Sequence, residues 1–125
     1  SRALCDHPRN LTDDQMRALA AAGGVAQVTL YHGFLKLDET EAPADIRDAV
    51  RHLMHMIDVA GIDHVGIGTD FDGDGGVPGL ACASQLPNLT SRLLAEGLTE
   101  ADLARIWGGN FLRVMQQCQQ ARTAF

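Results

Sequence analysis

The segment HVGIGTDFDGDGG, residues 64–76, contains a short apolar stretch that runs directly into an acidic turn rich in glycine. Valine and isoleucine alternate with glycine at its start, which predicts a strand over residues 64–69 whose glycines allow close approach of other backbone. Asp70 follows at the carboxyl end of this strand. In parallel α/β folds, catalytic groups collect at the carboxyl ends of strands. The segment therefore indicates both a fold class and the place of a functional carboxylate.

The same acidic run also resembles the start of a calcium-binding loop. Such a loop needs a bidentate carboxylate at its twelfth position and a helix that leads into it. Counted from Asp70, the twelfth residue is Ala81, and the preceding segment is a glycine-rich strand. The calcium hypothesis therefore fails two requirements. Asp70 is then either a catalytic group or a turn residue whose side chain caps its own backbone, as aspartate commonly does.

The rest of the chain alternates helical and extended patterns. Helices are predicted over residues 13–22, 44–60, 87–96, 99–107 and about 110–120, from caps, apolar stripes and glycine stops. Strands are predicted over residues 25–31 and 64–69. Strands that alternate with helices of this length indicate a parallel sheet, so the predicted fold class is α/β.

Composition limits the classes of partner. The chain has 125 residues and a net charge of −6, and its ten basic residues are scattered, which argues against a nucleic-acid surface. No apolar run approaches membrane-spanning length. Three widely spaced cysteines, without a C-x-x-C motif, indicate neither a zinc ribbon nor a redox site. Their odd number favours a reducing compartment, so we expect a cytoplasmic location.

Two further patterns involve candidate binding residues. His52 and His55 have a spacing that could grip a metal ion, but exposed helix histidines without a nearby set of carboxylates are more typical of surface groups. No metal ligand is therefore predicted within this chain. Arg9 follows Pro8 near the start, where its planar guanidinium could clamp a carboxylate through two hydrogen bonds. The alternative for Arg9 is an ordinary solvated arginine.

Three longer stretches together carry a family resemblance. SRALCDHPRNL at residues 1–11, VGIGTDFDG at residues 65–73 and WGGNFLRV at residues 107–114 resemble the membrane dipeptidase family of zinc metallopeptidases, in its microbial branch. Their order and spacing match throughout the 125 residues. Three motifs in register are far more specific than any one of them alone.

The resemblance implies a (β/α)₈ barrel of the metal-dependent hydrolase type, with two Zn²⁺ ions at its C-terminal mouth and a dipeptide as the substrate. It implies that Arg9 binds the C-terminal carboxylate of the substrate. Asp70 would lie beside the metal site and assist proton transfer as the catalytic residue. Asp72 and Gly73 would shape the turn.

The extent of the chain departs from that pattern. A (β/α)₈ barrel needs about 250 residues, and the zinc ligands of the family lie on segments that precede the residues matched here. Residues 1–125 therefore resemble the C-terminal fragment of a single dipeptidase barrel domain, from the sixth helix to the C-terminal helices. We expect the zinc ligands upstream and the fragment alone to be inactive.

A different class of function stays open from the sequence alone. The chain could be a truncated, non-catalytic α/β domain that acts as a binding or assembly module. A sheet with two evident strands leaves unpaired edges, which favour association, including a homodimer. An upstream reading frame that encodes zinc ligands would separate this alternative from the dipeptidase hypothesis.

Overall fold

The structure is a computed structural model that describes residues 1–38, 40 and 42–122. Two strands lie in this part of the chain, β1 (Ala26–Thr29) and β2 (Val65–Gly68). The helices are α1 (Asp13–Ala21), α2 (His32–Leu35), α3 (Ile46–Ala60), α4 (Leu86–Ala95), α5 (Glu100–Ala104) and α6 (Asn110–Arg122). Short 3₁₀ turns at Ile62–His64 and Ala83–Gln85 and a π-helical turn at Arg105–Gly109 complete the order.

The two strands form one parallel sheet. Ala26 lies opposite Val65, and Thr29 lies opposite Gly68. The chain passes from β1 to β2 through α2 and α3. The predicted parallel pairing is therefore confirmed, and the carboxyl ends of both strands meet at the same edge of the sheet.

Capping residues fix where the helices begin. Thr12 forms a capping box with Gln15 before α1, as the sequence predicts. The helix predicted from residue 44 begins two residues later at Ile46, because the Asp45 side chain accepts a hydrogen bond from the Arg47 N–H and takes the N-cap position. Hydrogen bonds of the capping side chains thus set where the helices begin, which the spacing of apolar residues predicts only approximately.

A single apolar core lies between the sheet and the helices. The α3 stripe contributes Ile46, Val50 and Leu53, all buried, as their spacing predicts. Other members with almost no exposure are Leu30, Leu35, Val65, Val77, Leu80, Leu89 and Leu93. Burial of each such side chain stabilises the fold by about 1.5–3 kcal/mol relative to exposure. Within the described residues, no helix has both the length and the apolar content to cross a membrane.

Two local predictions need correction. No helix is predicted between residues 31 and 44, but His32–Leu35 forms the short helix α2. The helix predicted over residues 99–107 leaves α-helical geometry after Ala104 and continues as a π-helical turn into α6. Gly108 has non-helical backbone angles, so the glycine pair kinks the chain and does not separate the two helices with a loop.

Candidate active site

A cleft of about 470 Å³ lies at the carboxyl end of the sheet. Its lining comes from the opening loop, the segment after β1 and the turn after β2, and consists of His7, Arg9, Tyr31, Phe34, Asp70, Gly73 and Asp74. The fold thus brings Arg9 and Asp70, the two site residues predicted from the sequence, to one cavity. A concave site at the carboxyl ends of parallel strands is where α/β folds bind ligands.

Asp70 occupies an unusual backbone conformation directly beyond β2. Its φ is 61°, and in the described residues it is the one non-glycine residue with a positive φ. The Asp70 carbonyl accepts hydrogen bonds from the N–H groups of Gly73 at 3.0 Å and Gly75 at 2.9 Å. These bonds hold a conformation that costs about 1 kcal/mol or more, and such strained residues cluster at functional sites. The tight turn leaves the Asp70 side chain exposed at the cleft.

The glycines of the acidic run are required by close backbone contacts. A Cβ atom on Gly75 would lie 2.1 Å from the Thr69 carbonyl oxygen and 2.6 Å from that of Asp70. A Cβ atom on Gly73 would lie 2.9 Å from the Asp70 Oδ1. The glycines therefore serve the geometry of the turn that presents Asp70, which gives a structural reason for the glycine-rich sequence other than calcium binding.

The acidic turn does not gather a set of metal ligands. Among residues 1–38, 40 and 42–122, no group of three or more His, Cys, Asp or Glu side chains is placed to hold a metal ion. This finding gives the calcium hypothesis at residues 70–75 no added support, and it identifies no metal centre within the described residues. The expectation that zinc ligands lie upstream stays a prediction.

Arg9 lines the same cleft as Asp70 and lies on the opening loop. Its side chain is exposed and takes part in none of the ion pairs among the described residues. The central carbon of its guanidinium lies 4.9 Å from the centroid of the Phe34 ring. The Arg9 backbone N–H donates to the His7 Nδ1 at 3.2 Å. The guanidinium is thus supported by an aromatic face, and an anionic ligand could still bind it.

The prediction that His52 and His55 are both exposed is wrong for His52. His52 is 1% exposed, its Nε2–H donates to the Leu35 carbonyl at 3.1 Å, and its Nδ1 accepts from the Ser1 nitrogen at 2.8 Å. Burial lowers the pKa of His52 to about 4, so its ring is neutral. The half-buried His55 contacts Asp13, with 2.8 Å between Nε2 and Oδ1. Both rings are therefore engaged by protein groups.

Sequence reasoning missed the aromatic wall of the cleft. The Phe34 ring packs at 4.7 Å from the His7 ring and at 4.8 Å, edge to face, from the Tyr31 ring. The pattern YHGF at residues 31–34, where a predicted strand ends, could have indicated this wall, because residues at and just beyond a strand's carboxyl end face the site.

The third sequence motif lies at the other end of the sheet. The buried Asn110 side chain donates to the carbonyls of Ile62 at 2.7 Å and Val65 at 2.8 Å. Arg113 donates to the carbonyls of Gly23 and Asp63, each at 2.8 Å. These side chains therefore join α6 to the segments that lead into β1 and β2, far along the strands from the cleft.

The model of the membrane dipeptidase family, peptidase family M19, matches residues 1–125. The chain belongs to this family. It is 37% identical over 121 residues to an uncharacterized protein encoded in the pqqA 5′ region of Klebsiella pneumoniae, and over 114 residues to the dipeptidase aclJ of Aspergillus oryzae. These alignments cover 96% and 90% of this chain, but 45% and 27% of the relatives.

Solved structures of M19 enzymes share the fold. A metallopeptidase from Rhodobacter sphaeroides, crystallised with a phosphinate mimic of the dipeptide L-Ala-D-Ala, superposes with a TM-score of 0.84 at 31% identity. The match covers 92% of this chain and 33% of that protein. The chain thus spans less than half the length of these relatives, and its mixed α/β fold corresponds to part of theirs.

Proposed function

We propose that this chain is the C-terminal portion of a (β/α)₈ metallodipeptidase that hydrolyses the peptide bond of dipeptides. The observation that carries the proposal is the cleft itself, which places the Arg9 guanidinium, free of ion pairs with the described residues, and the exposed Asp70 carboxylate at the carboxyl ends of two parallel strands. Family membership and the dipeptidase names of the relatives support the same activity.

In this proposal Arg9 selects the substrate. Its planar fork of N–H donors matches the two oxygens of a C-terminal carboxylate, and Phe34 supports the guanidinium from one side. A dipeptide carries this carboxylate one residue beyond the scissile bond, so a fixed Arg9 sets the distance from the substrate end to the reacting carbonyl. The R. sphaeroides relative was crystallised with a mimic of L-Ala-D-Ala, which supports dipeptides as the substrate class.

Asp70 moves the proton. Its carboxylate can accept a proton from the attacking water and return it to the leaving amine, a general acid–base role that contributes on the order of 10²–10⁴-fold in rate. The Gly73 and Gly75 amides hold the Asp70 backbone, so its side chain is positioned by the turn. The two zinc ions that the resemblance implies would need ligands from outside this chain, because the described residues offer no such cluster.

The test uses the full-length enzyme that contains this segment. We expect it to hydrolyse a dipeptide far faster than the same dipeptide with a C-terminal amide, because the amide removes the anion that Arg9 binds. Arg9→Lys should lower kcat/KM on the free dipeptide by about 10-fold or more, since an ammonium group cannot form the two-bond clamp.

Arg17→Lys is the matched control, because Arg17 lies on α1 in an exposed ion pair with Asp14. It should leave both rates unchanged. Hydrolysis of neither substrate, or a full-length reading frame without upstream metal ligands, would favour the non-catalytic binding module. Equal rates on the acid and the amide would show that Arg9 is misassigned.

A further inference from the structure

We infer that Phe34 is a positioning residue that holds the Arg9 guanidinium in the orientation that binds the substrate carboxylate. The inference rests on the proposed function and adds a residue to it. The guanidinium carbon of Arg9 lies over the Phe34 ring, 4.9 Å from its centroid. At this distance, the negative face of the ring attracts the cation.

The ring contact leaves the hydrogen-bonding groups of Arg9 available. A cation–π contact uses the charge of the guanidinium and the face of the ring, whereas an ion pair with a carboxylate would occupy the N–H donors. The Arg9 side chain forms none of the ion pairs among the described residues. Phe34 can therefore restrict the arginine without competing for the ligand that the arginine must bind.

Phe34 is itself held from three sides. Its ring contacts the rings of His7 and Tyr31, at centroid distances of 4.7 Å and 4.8 Å. Its backbone carbonyl accepts a hydrogen bond of 2.9 Å from the Asn10 Nδ2, which also donates to the Cys5 carbonyl at 2.9 Å. Asn10 is the neighbour of Arg9 in the chain, so one amide group joins the loop that carries the arginine to the helix that carries the phenylalanine.

Preorganisation gives this arrangement its functional value. An unrestrained arginine samples many rotamers and loses that freedom when it binds a carboxylate, which weakens binding. A ring that already confines the guanidinium removes part of this loss before the substrate arrives. The benefit applies to substrates that have a free carboxylate and is absent for substrates that lack one.

The experiment measures kcat and KM of the full-length enzyme on a dipeptide and on its C-terminal amide. Phe34→Leu should lower the acid-to-amide ratio of kcat/KM by about 3- to 10-fold, mainly through a higher KM for the acid. Phe34→Tyr keeps the aromatic face and should keep the ratio. Phe111→Leu, at an exposed phenylalanine on α6, is the matched control and should change neither rate.

A double-mutant cycle separates positioning from general damage. In an Arg9→Met background, Phe34→Leu should no longer change the acid-to-amide ratio, because the group it positions is gone. The inference is overturned if Phe34→Leu reduces hydrolysis of both substrates equally, or if its effect on the ratio persists without Arg9. If the unaltered enzyme does not prefer the acid to the amide, the proposed function fails first and this inference fails with it.

Discussion

At the amino ends of β1 and β2, the side chains of Asn110 and Arg113 donate to backbone carbonyls, and the His64 Nδ1–H donates to the Gly24 carbonyl at 2.8 Å. At the carboxyl ends, Arg9 and Asp70 are exposed and face a cleft. One end of the sheet uses its polar groups to hold the chain together. The other end keeps them available to a ligand.

This difference between the two ends of the sheet distinguishes the roles of two sequence motifs. The stretches that include Asn110 and Asp70 both contributed to the family resemblance, yet the first contains buried groups with satisfied hydrogen bonds and the second presents a carboxylate on a strained turn. In barrel folds, the carboxyl-terminal face carries catalysis and the opposite face carries stability. The role of a family motif can therefore be interpreted only when it is known at which end of the sheet the motif lies.

The division of roles between the two ends of the sheet would be contradicted if the isolated chain were active by itself. We expect the isolated 125-residue chain to hydrolyse no dipeptide and to bind zinc weakly, because its described residues form no metal site and His52 is buried with both ring nitrogens engaged. Zinc titration by calorimetry, together with a dipeptidase assay, checks this. Tight stoichiometric zinc binding with peptidase activity would contradict it.

Removal of a polar group at the amino end should reduce stability and leave catalysis intact. Asn110→Ala in the full-length enzyme leaves the Ile62 and Val65 carbonyls without their donor and should lower the free energy of unfolding by about 3–4 kcal/mol. Gln116→Ala, at an exposed position on the same helix, should change it by less than about 0.5 kcal/mol. Urea unfolding measures both, and a large fall in kcat of folded Asn110→Ala would argue against the division between the two ends.

At the carboxyl end of the sheet, we expect a substitution to reduce catalysis and to leave stability intact. Asp70→Asn should lower kcat on the order of 10²-fold or more, because an amide cannot accept the proton, while the unfolding free energy stays nearly constant since asparagine also tolerates a positive φ. Asp74→Asn, which alters a carboxylate on the same cleft, is the control and should have little effect on kcat. Equal small effects of the two substitutions would remove Asp70 from the mechanism.

The buried His52 makes the free energy of unfolding depend on pH. Burial is the main cause that lowers its pKa from 6.5 to about 4, so the unfolded chain binds a proton at a higher pH than the folded chain. The resulting stability is full above about pH 6.5 and is lost as the pH falls towards 4. Between about pH 7 and pH 5 the unfolding free energy should drop by about 2 kcal/mol.

Chemical unfolding of the full-length enzyme at several pH values measures this slope. A His52→Gln variant is the reference, because it retains a polar side chain without the titration. The same slope in both proteins would show that other groups control the pH dependence.

The sequence predicts most of the fold because local rules decide it. The Thr12 capping box, the α3 stripe and the glycine-bounded strands all depend on neighbours a few residues away, and the structure confirms them. The α2 helix and the π-helical turn at Arg105–Gly109 escaped prediction. The first is one short turn without a side-chain cap, and the second contains Gly108, whose backbone angles are non-helical.

The site was predictable only in part. Position after a strand made Asp70 a candidate, the family resemblance did the same for Arg9, and the structure places both at one cleft. Neither could show that His52 is covered by the opening segment, or that Phe34 lies beneath the guanidinium of Arg9, because both facts depend on contacts between distant parts of the chain. Spacing along a helix indicates which residues share a face but not what covers that face.

One backbone hydrogen bond joins the two walls of the cleft. The Gly76 N–H, at the end of the acidic turn, donates to the Leu30 carbonyl at 3.0 Å, just beyond β1 and next to the aromatic wall. This bond joins the Asp70 turn to the segment that carries Tyr31 and Phe34. The turn that carries Asp70 and the segment that carries Phe34 therefore share one direct backbone support, so the two proposed site residues Asp70 and Arg9 lie on walls that are tied together.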